Sequence, residues 1–266
     1  MGTRSREYLD RTSKYESDQH LLRYLTRKDI TYLYHACQLF FLLQIVNRKF
    51  IFRTVQIMPP SDIRFFTEDW TITVPSLPNV KFLRLTPLRS DEQIKILSNP
   101  LNSPFASPSD LAEVWDEEMK KGVKERFMAR YNLSKTKYQA LEIVVEIDGE
   151  TVGQGSVYEI PQVLAGLANI GLTLAASARG QGIGKAAMQV LLRLANELEV
   201  DLVHAGTMST NKPMRALAKS LGFTEREEVL SIPGRGVVAD ILFENVDYKR
   251  YKDLEMKVEF LGPVLE

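Results

Sequence analysis

The stretch 178–185, ARGQGIGK, constrains this chain more than any other. Gly180, Gly182 and Gly184 alternate there, between a strand-like run, NIGLTLA at 169–175, and a helical pattern at 184–198. Residues without side chains leave backbone N–H groups open, and a helix N-terminus adds the positive end of its dipole. Together these make a cradle for phosphate. Glycine is required because a side chain would fill the phosphate volume and because such turns need unusual dihedrals. Arg179 and Lys185 add positive charge at the two ends. The competing structural reading is a turn that only lets helix and sheet pack.

The surrounding pattern is α/β. Residues 80–88 alternate like a strand, and Ser90 to Gln93 has the form of a capping box that predicts a helix start. Asn99 and Pro100 end that helix. A Pro- and Ser-rich connector leads to a second helix at about 111–131, with Glu117 and Lys121 at i,i+4 spacing. Asp148-Gly149 joins strands 141–147 and 151–158 as a tight hairpin. The strand at 169–175, the glycine turn and the helix at 184–198 follow. Ala187, Leu191, Leu194 and Leu198 form that helix's apolar stripe. Next come a strand at 201–208, a helix at 213–221 and strands at 229–232 and 237–243. The order predicts a mixed sheet, part hairpin and part crossover.

Three phosphate-binding patterns compete for the turn. A P-loop needs glycine at the position of Arg179 and a hydroxyl at the position of Ala186, and has neither. A dinucleotide fingerprint fits Gly182 to Ala187. Its acidic ribose ligand would be Asp201, which begins its strand where the fold needs it at the end. The third pattern, Arg/Gln-x-x-Gly-x-Gly/Ala, is matched at every fixed position by Arg179 to Gly184. Asn211 and the Leu221-Gly222-Phe223 ending lie at the spacing that accompanies it. On these residues, over about 79–250, the chain resembles the GNAT superfamily of acetyl-CoA-dependent N-acetyltransferases.

That resemblance implies a mixed central sheet of about seven strands flanked by helices, with residues 69–266 as the acetyltransferase domain and 1–68 as an extension. It implies acetyl-CoA as cosubstrate, with no metal. Arg179, Gly180, Gln181, Gly182, Ile183, Gly184 and Lys185 would hold the pyrophosphate. Leu172, Thr173 and Leu174 would pair with the pantetheine arm, and Asn211 would touch it. Asn211 also suits a plain helix N-cap. The implied reaction is direct attack of a primary amine on the thioester in a ternary complex. A lysine-like amine, pKa near 10.4, is neutral only about 0.04% of the time at pH 7, so proton removal must be assisted. Many family members carry Glu where this chain has Asn169, and Tyr where it has Ala218. His204, Asn169 and Tyr158 are therefore the catalytic candidates, with Glu159 and Glu146 behind them. The alternative from another class is a non-catalytic acetyl-CoA-binding or interaction module. An NAD(P)-binding enzyme is a remote one.

Composition narrows the partners. Thirty-four basic residues balance thirty-four acidic ones, which speaks against a nucleic-acid protein. A single cysteine, Cys37, excludes an internal disulfide and a cysteine-based zinc site. The acceptor is expected to be a small-molecule or peptide amine. Residues 1–60 are mildly basic, with ten Lys or Arg against five Asp or Glu. Their apolar run at 33–46 is shorter than the ~20 residues of a membrane span, so no span is expected. Self-association through residues 30–57 is a further expectation. The expected compartment is the cytoplasm, with the nucleus left open.

Overall fold

The computed structural model describes residues 62–105, 115–160, 166–232 and 236–264. The apolar run at 33–46, the segment 30–57 expected to self-associate, Cys37 and the start of the helix expected at 111 lie outside them.

The chain enters through a short helix α1 (Arg64–Thr67) and runs directly into strands β1 (Glu68–Val74) and β2 (Leu77–Arg84). Helices α2 (Ser90–Ser98) and α3 (Glu117–Lys137) follow. Strands β3 (Ala140–Ile147), β4 (Glu150–Glu159) and β5 (Leu167–Leu174) lead to α4 (Ile183–Glu197). Then come β6 (Leu202–Thr207), α5 (Lys212–Ser220), β7 (Thr224–Ile232), β8 (Gly236–Asn245) and β9 (Lys257–Pro263). All nine strands form one mixed sheet in the order β7-β8-β6-β5-β4-β3-β2-β1-β9.

The sheet has two more strands than the sequence suggested. β1 and β9 pair antiparallel, with Thr71 opposite Glu259. In β9 exposed and half-buried residues alternate, and in β1 Trp70, Ile72 and Val74 are buried. This is the ordinary signature of a half-buried strand. Phe65 and Phe66 of α1 are buried in the same core, so the packed body begins before residue 69.

Two helix details also differ. Ser90 is the first residue of α2, not its cap; the Ser90 hydroxyl donates to the Pro87 carbonyl at 2.9 Å. A 3-10 turn, Pro87–Arg89, runs directly into the helix, so the chain is already helical at Ser90. Glu117 pairs with Lys120 at 2.7 Å rather than Lys121, and Lys121 faces Glu125 at 3.9 Å. Asp116 caps α3 by accepting the Met119 N–H.

The hairpin between β3 and β4 turns at Asp148 and Gly149, both at positive φ. On one face of the sheet, α4 buries Ala187, Leu191 and Leu194 against Leu141, Ile143, Val157 and Ile170. The helix lies so close that a Cβ on Gly155 of β4 would sit 2.8 Å from Leu191 Cδ1. On the other face, Phe127 and Tyr131 of α3 cover Leu85 and Val144. Among the described residues, no helix is long and apolar enough to cross a membrane.

Candidate active site

β5 and β6 are parallel and share only three paired positions: Leu167 with Leu202, Ala168 with Val203, and Asn169 with His204. Beyond Asn169 the two strands part. β5 continues along β4, with Gly171 opposite Ser156 and Leu174 opposite Gly153. β6 continues along β8, with Ala205 opposite Phe243 and Thr207 opposite Ile241. A sheet that forks in this way leaves one edge of each strand without a neighbour.

The ladder shows which groups line the fork. Ala175 donates its N–H to the Val152 carbonyl at 2.7 Å. Antiparallel pairs alternate, so Thr173 and Gly171 also turn their backbone toward β4. Leu172 and Leu174 turn theirs toward the opening. The three residues grouped in the sequence reading thus divide. Leu172 and Leu174 turn their backbone groups to the opening, and Thr173 spends its own on Gln154. The Leu174 carbonyl already accepts from Arg179 Nη2 at 3.0 Å.

The glycine turn closes the wide end of the fork. Gly180 and Gly182 have φ of 74° and 80°, the left-handed region that glycine enters without strain. Gly182 is the N-cap of α4 and supplies no side-chain cap. The first turn of α4 bonds Lys185 N–H and Ala186 N–H to the Gly182 carbonyl. Gln181 ties the turn down by donating from its side chain to the Ser177 carbonyl at 2.7 Å. The N–H groups of Gly182, Ile183 and Gly184 sit at the N-terminus of a fifteen-residue helix, where the dipole favours an anion. A Cβ on Gly182 would meet no protein atom within 4 Å, so the space above the turn is open. Lys185 is exposed beside it.

Arg179 turns part of its guanidinium back onto the protein. Its Nη2 donates to the carbonyls of Asn102 at 2.6 Å, Leu174 at 3.0 Å and Leu101 at 3.3 Å. Asn102 completes the joint: its Oδ1 accepts the Ala176 N–H at 3.2 Å, and its Nδ2 donates to the Ile96 carbonyl at 3.0 Å. These contacts bolt the turn to the end of α2. Asn102 carries no local motif and falls in what the sequence reads as a Pro- and Ser-rich connector.

Asn211 caps α5. Its Oδ1 accepts the Met214 N–H at 3.2 Å and its Nδ2 donates to Thr207 Oγ1 at 2.9 Å. The N-cap reading therefore describes it. Ala218, aligned with the family's tyrosine, is fully buried in the core.

The three catalytic candidates lie side by side. Tyr158 of β4 is opposite Asn169 of β5, and Asn169 is opposite His204 of β6. His204 is in turn opposite Glu244 of β8. Paired residues on adjacent strands share a face, so a polar row crosses four strands at the point where the sheet forks. Asn169 Nδ2 donates to Tyr158 Oη at 3.1 Å. Glu244 accepts from Arg226 Nη1 at 2.7 Å. The row lies on the α3 side of the sheet, where Arg130 stands over the Tyr158 ring.

His204 is nearly buried, and burial pushes its pKa down to about 4, helped by the nearby Arg226 cation. Its imidazole is neutral across the physiological range and is a weak base. Glu159 is no member of the row: it accepts the Gly166 N–H at 3.2 Å, and burial pushes its carboxyl up. Glu146 is six residues along β3 from the row, about 20 Å away.

A family model described as acetyltransferase (GNAT) domain matches residues 83–224, over half of the chain. The chain belongs to the GNAT acetyltransferase family. It is an acyltransferase, and the dinucleotide-enzyme alternative falls with that match. Solved structures share the fold. RimJ of Mycobacterium smegmatis, in complex with CoA-disulfide, is 19% identical, with a TM-score of 0.51 over 72% of this chain and 91% of that one. An uncharacterized protein of Bacillus halodurans is 15% identical, with a TM-score of 0.51 over 71% of this chain and 96% of that one. The yncA protein of Salmonella typhimurium, solved with acetyl-CoA, is 18% identical, with a TM-score of 0.50 over 62% and 92%. No curated protein matches the chain.

Proposed function

We propose that this chain transfers an acetyl group from acetyl-CoA to a primary amine, by direct attack in a ternary complex formed where β5 and β6 part. The observation that carries this reading is the coincidence of two features. The fork leaves backbone groups of Leu172 and Leu174 facing an opening, and the polar row Tyr158-Asn169-His204 stands at its vertex.

In this reading the pantetheine arm lies along β5 as a short extra strand. Its amides satisfy the Leu172 carbonyl and the Leu174 N–H, groups that need partners once water is displaced. The pyrophosphate rests on the N–H groups of Gly182, Ile183 and Gly184, with Gly180, Gln181 and Lys185 shaping the turn. Arg179 contributes by holding that turn in place.

The amine nitrogen attacks the thioester carbonyl carbon, and the carbonyl π electrons move to oxygen. The Leu172 N–H, the first outward amide clear of the β5-β6 ladder, stabilises that oxyanion. Collapse breaks the C–S bond and releases coenzyme A as thiolate, a tolerable leaving group with a thiol pKa near 8.5. Asn169 Oδ1 accepts a hydrogen bond from the incoming amine and Tyr158 fixes the Asn169 side chain. Asn169 cannot take the proton and His204 is a weak base, so the amine's proton leaves to water. His204 shapes the vertex as a neutral group.

The test is turnover. Coenzyme A release is followed with acetyl-CoA and three acceptors: spermidine, a peptide with a free N-terminal alanine, and an N-blocked lysine peptide. Amine-dependent release above background from any of them supports the reading. Tight acetyl-CoA binding without amine-dependent release would instead favour a non-catalytic binding module.

A further inference from the structure

Glu142 of β3 is buried, with its side chain only 4% exposed, and pairs with Arg130 Nη2 of α3 at 2.7 Å. Burial raises its pKa and the Arg130 guanidinium pulls it back. Taking such a pair out of water costs several kcal/mol per ion, and replacing one by apolar residues is often neutral or stabilising. Stability alone therefore explains this pair poorly. Its location is informative. The Arg130 guanidinium carbon lies 5.6 Å from the centre of the Tyr158 ring, and Tyr158 Oη accepts the Asn169 amide. Glu142, Arg130, Tyr158 and Asn169 form one continuous chain of contacts from α3 to the vertex of the fork.

We propose that Arg130, held by Glu142, is a positioning residue for acetyl transfer: it fixes the Tyr158 ring so that its hydroxyl orients Asn169 toward the acceptor amine. The proposal rests on the acceptor-side reading of Tyr158 and Asn169 given above. Arg130 touches no reacting atom. A planar guanidinium suits the task because it can bind a carboxylate and lie over a ring at once, which an ammonium does poorly.

A double-mutant cycle in the full chain tests it, read first by NMR on the Asn169 side-chain amide, which needs no acceptor. Arg130→Met shifts that resonance, and the shift vanishes in a Tyr158→Phe background, because residues acting through one contact are not additive. Kinetics with the fastest of the three acceptors follow the same pattern. Arg130→Met lowers kcat/KM about tenfold with acetyl-CoA affinity unchanged, and less than about twofold once Tyr158 is Phe. If Arg130→Met fails to fold, Arg130→Lys keeps the charge beside Glu142 and gives a smaller loss with the same dependence on Tyr158. Equal losses in both backgrounds, or an unmoved Asn169 resonance, would overturn the proposal while leaving the site reading intact. A Tyr158→Phe variant with full activity would overturn the site reading, and this inference with it.

Discussion

Arg179 donates to the carbonyl of Asn102, 77 residues earlier in the chain, at 2.6 Å. The residue that opens the glycine motif is thus tied to the end of α2 before any ligand arrives. Arg179→Ala should lower the unfolding midpoint of the ligand-free protein by about 2–6 °C, since a charged hydrogen bond contributes about 1.5–3 kcal/mol and this one is partly exposed. Differential scanning calorimetry without coenzyme reads this. An unchanged midpoint with a weakened acetyl-CoA affinity would make Arg179 a phosphate ligand only.

Gly182→Asp tests the turn itself. The φ of 80° costs a side chain about 1–2 kcal/mol, and no protein atom stands in its way. The fold should survive with a modest loss of midpoint. Acetyl-CoA affinity, by titration calorimetry, should fall at least about tenfold, because the carboxylate occupies and repels the phosphate position. Retained affinity would remove the turn from the site.

His204 makes a pH prediction whose sign is definite. Its folded pKa of about 4 lies below the unfolded 6.5, so the unfolded chain binds more protons between those values. Its contribution to stability is therefore full above about pH 6.5 and falls away as pH drops toward 4. Over that window it amounts to about 3 kcal/mol. His204→Asn should flatten the acid limb of stability measured by urea unfolding from pH 4 to 7. In the wild type, kcat/KM should rise about tenfold per pH unit through neutrality, following the amine, with no bend near 6.5. A bend there that disappears in His204→Asn would make His204 the base.

Ala218→Tyr would place the family's usual tyrosine where this chain has alanine. The site is fully buried, so the variant should lose about 1–3 kcal/mol from overpacking and gain no activity. Raised turnover would show that the ring reaches the leaving sulfur.

The fold was legible where local chemistry was strong. Asp148-Gly149 announced the hairpin, and the glycine turn announced the strand and helix on either side. β9 was not legible because its partner β1 lies almost two hundred residues away, so no local pattern linked them; β1 itself also pairs with its sequence neighbour β2. The turn's glycines could be read from sequence because their role is backbone geometry. The division of Leu172 and Leu174 from Thr173 could not, since it depends on the β4-β5 register. The row Tyr158-Asn169-His204-Glu244 is likewise a product of register: the sequence offers its first three members only as separate candidates and gives no sign of Glu244, and pairing makes them neighbours. Arg130 and Asn102 carry no motif at all. Glu142, a lone charge in the apolar run ALEIVV, was the one signal that could have pointed to the buried pair.

In the proposed complex, acetyl-CoA lies in the opening between β5 and β6. Amide exchange followed by NMR, with and without acetyl-CoA, tests it most directly. The Leu172, Leu174, Ile183 and Gly184 amides should slow markedly on binding, while Thr173, already paired with β4, should change little. Protection elsewhere in the protein, with Leu172 and Gly184 still exchanging freely, would contradict it.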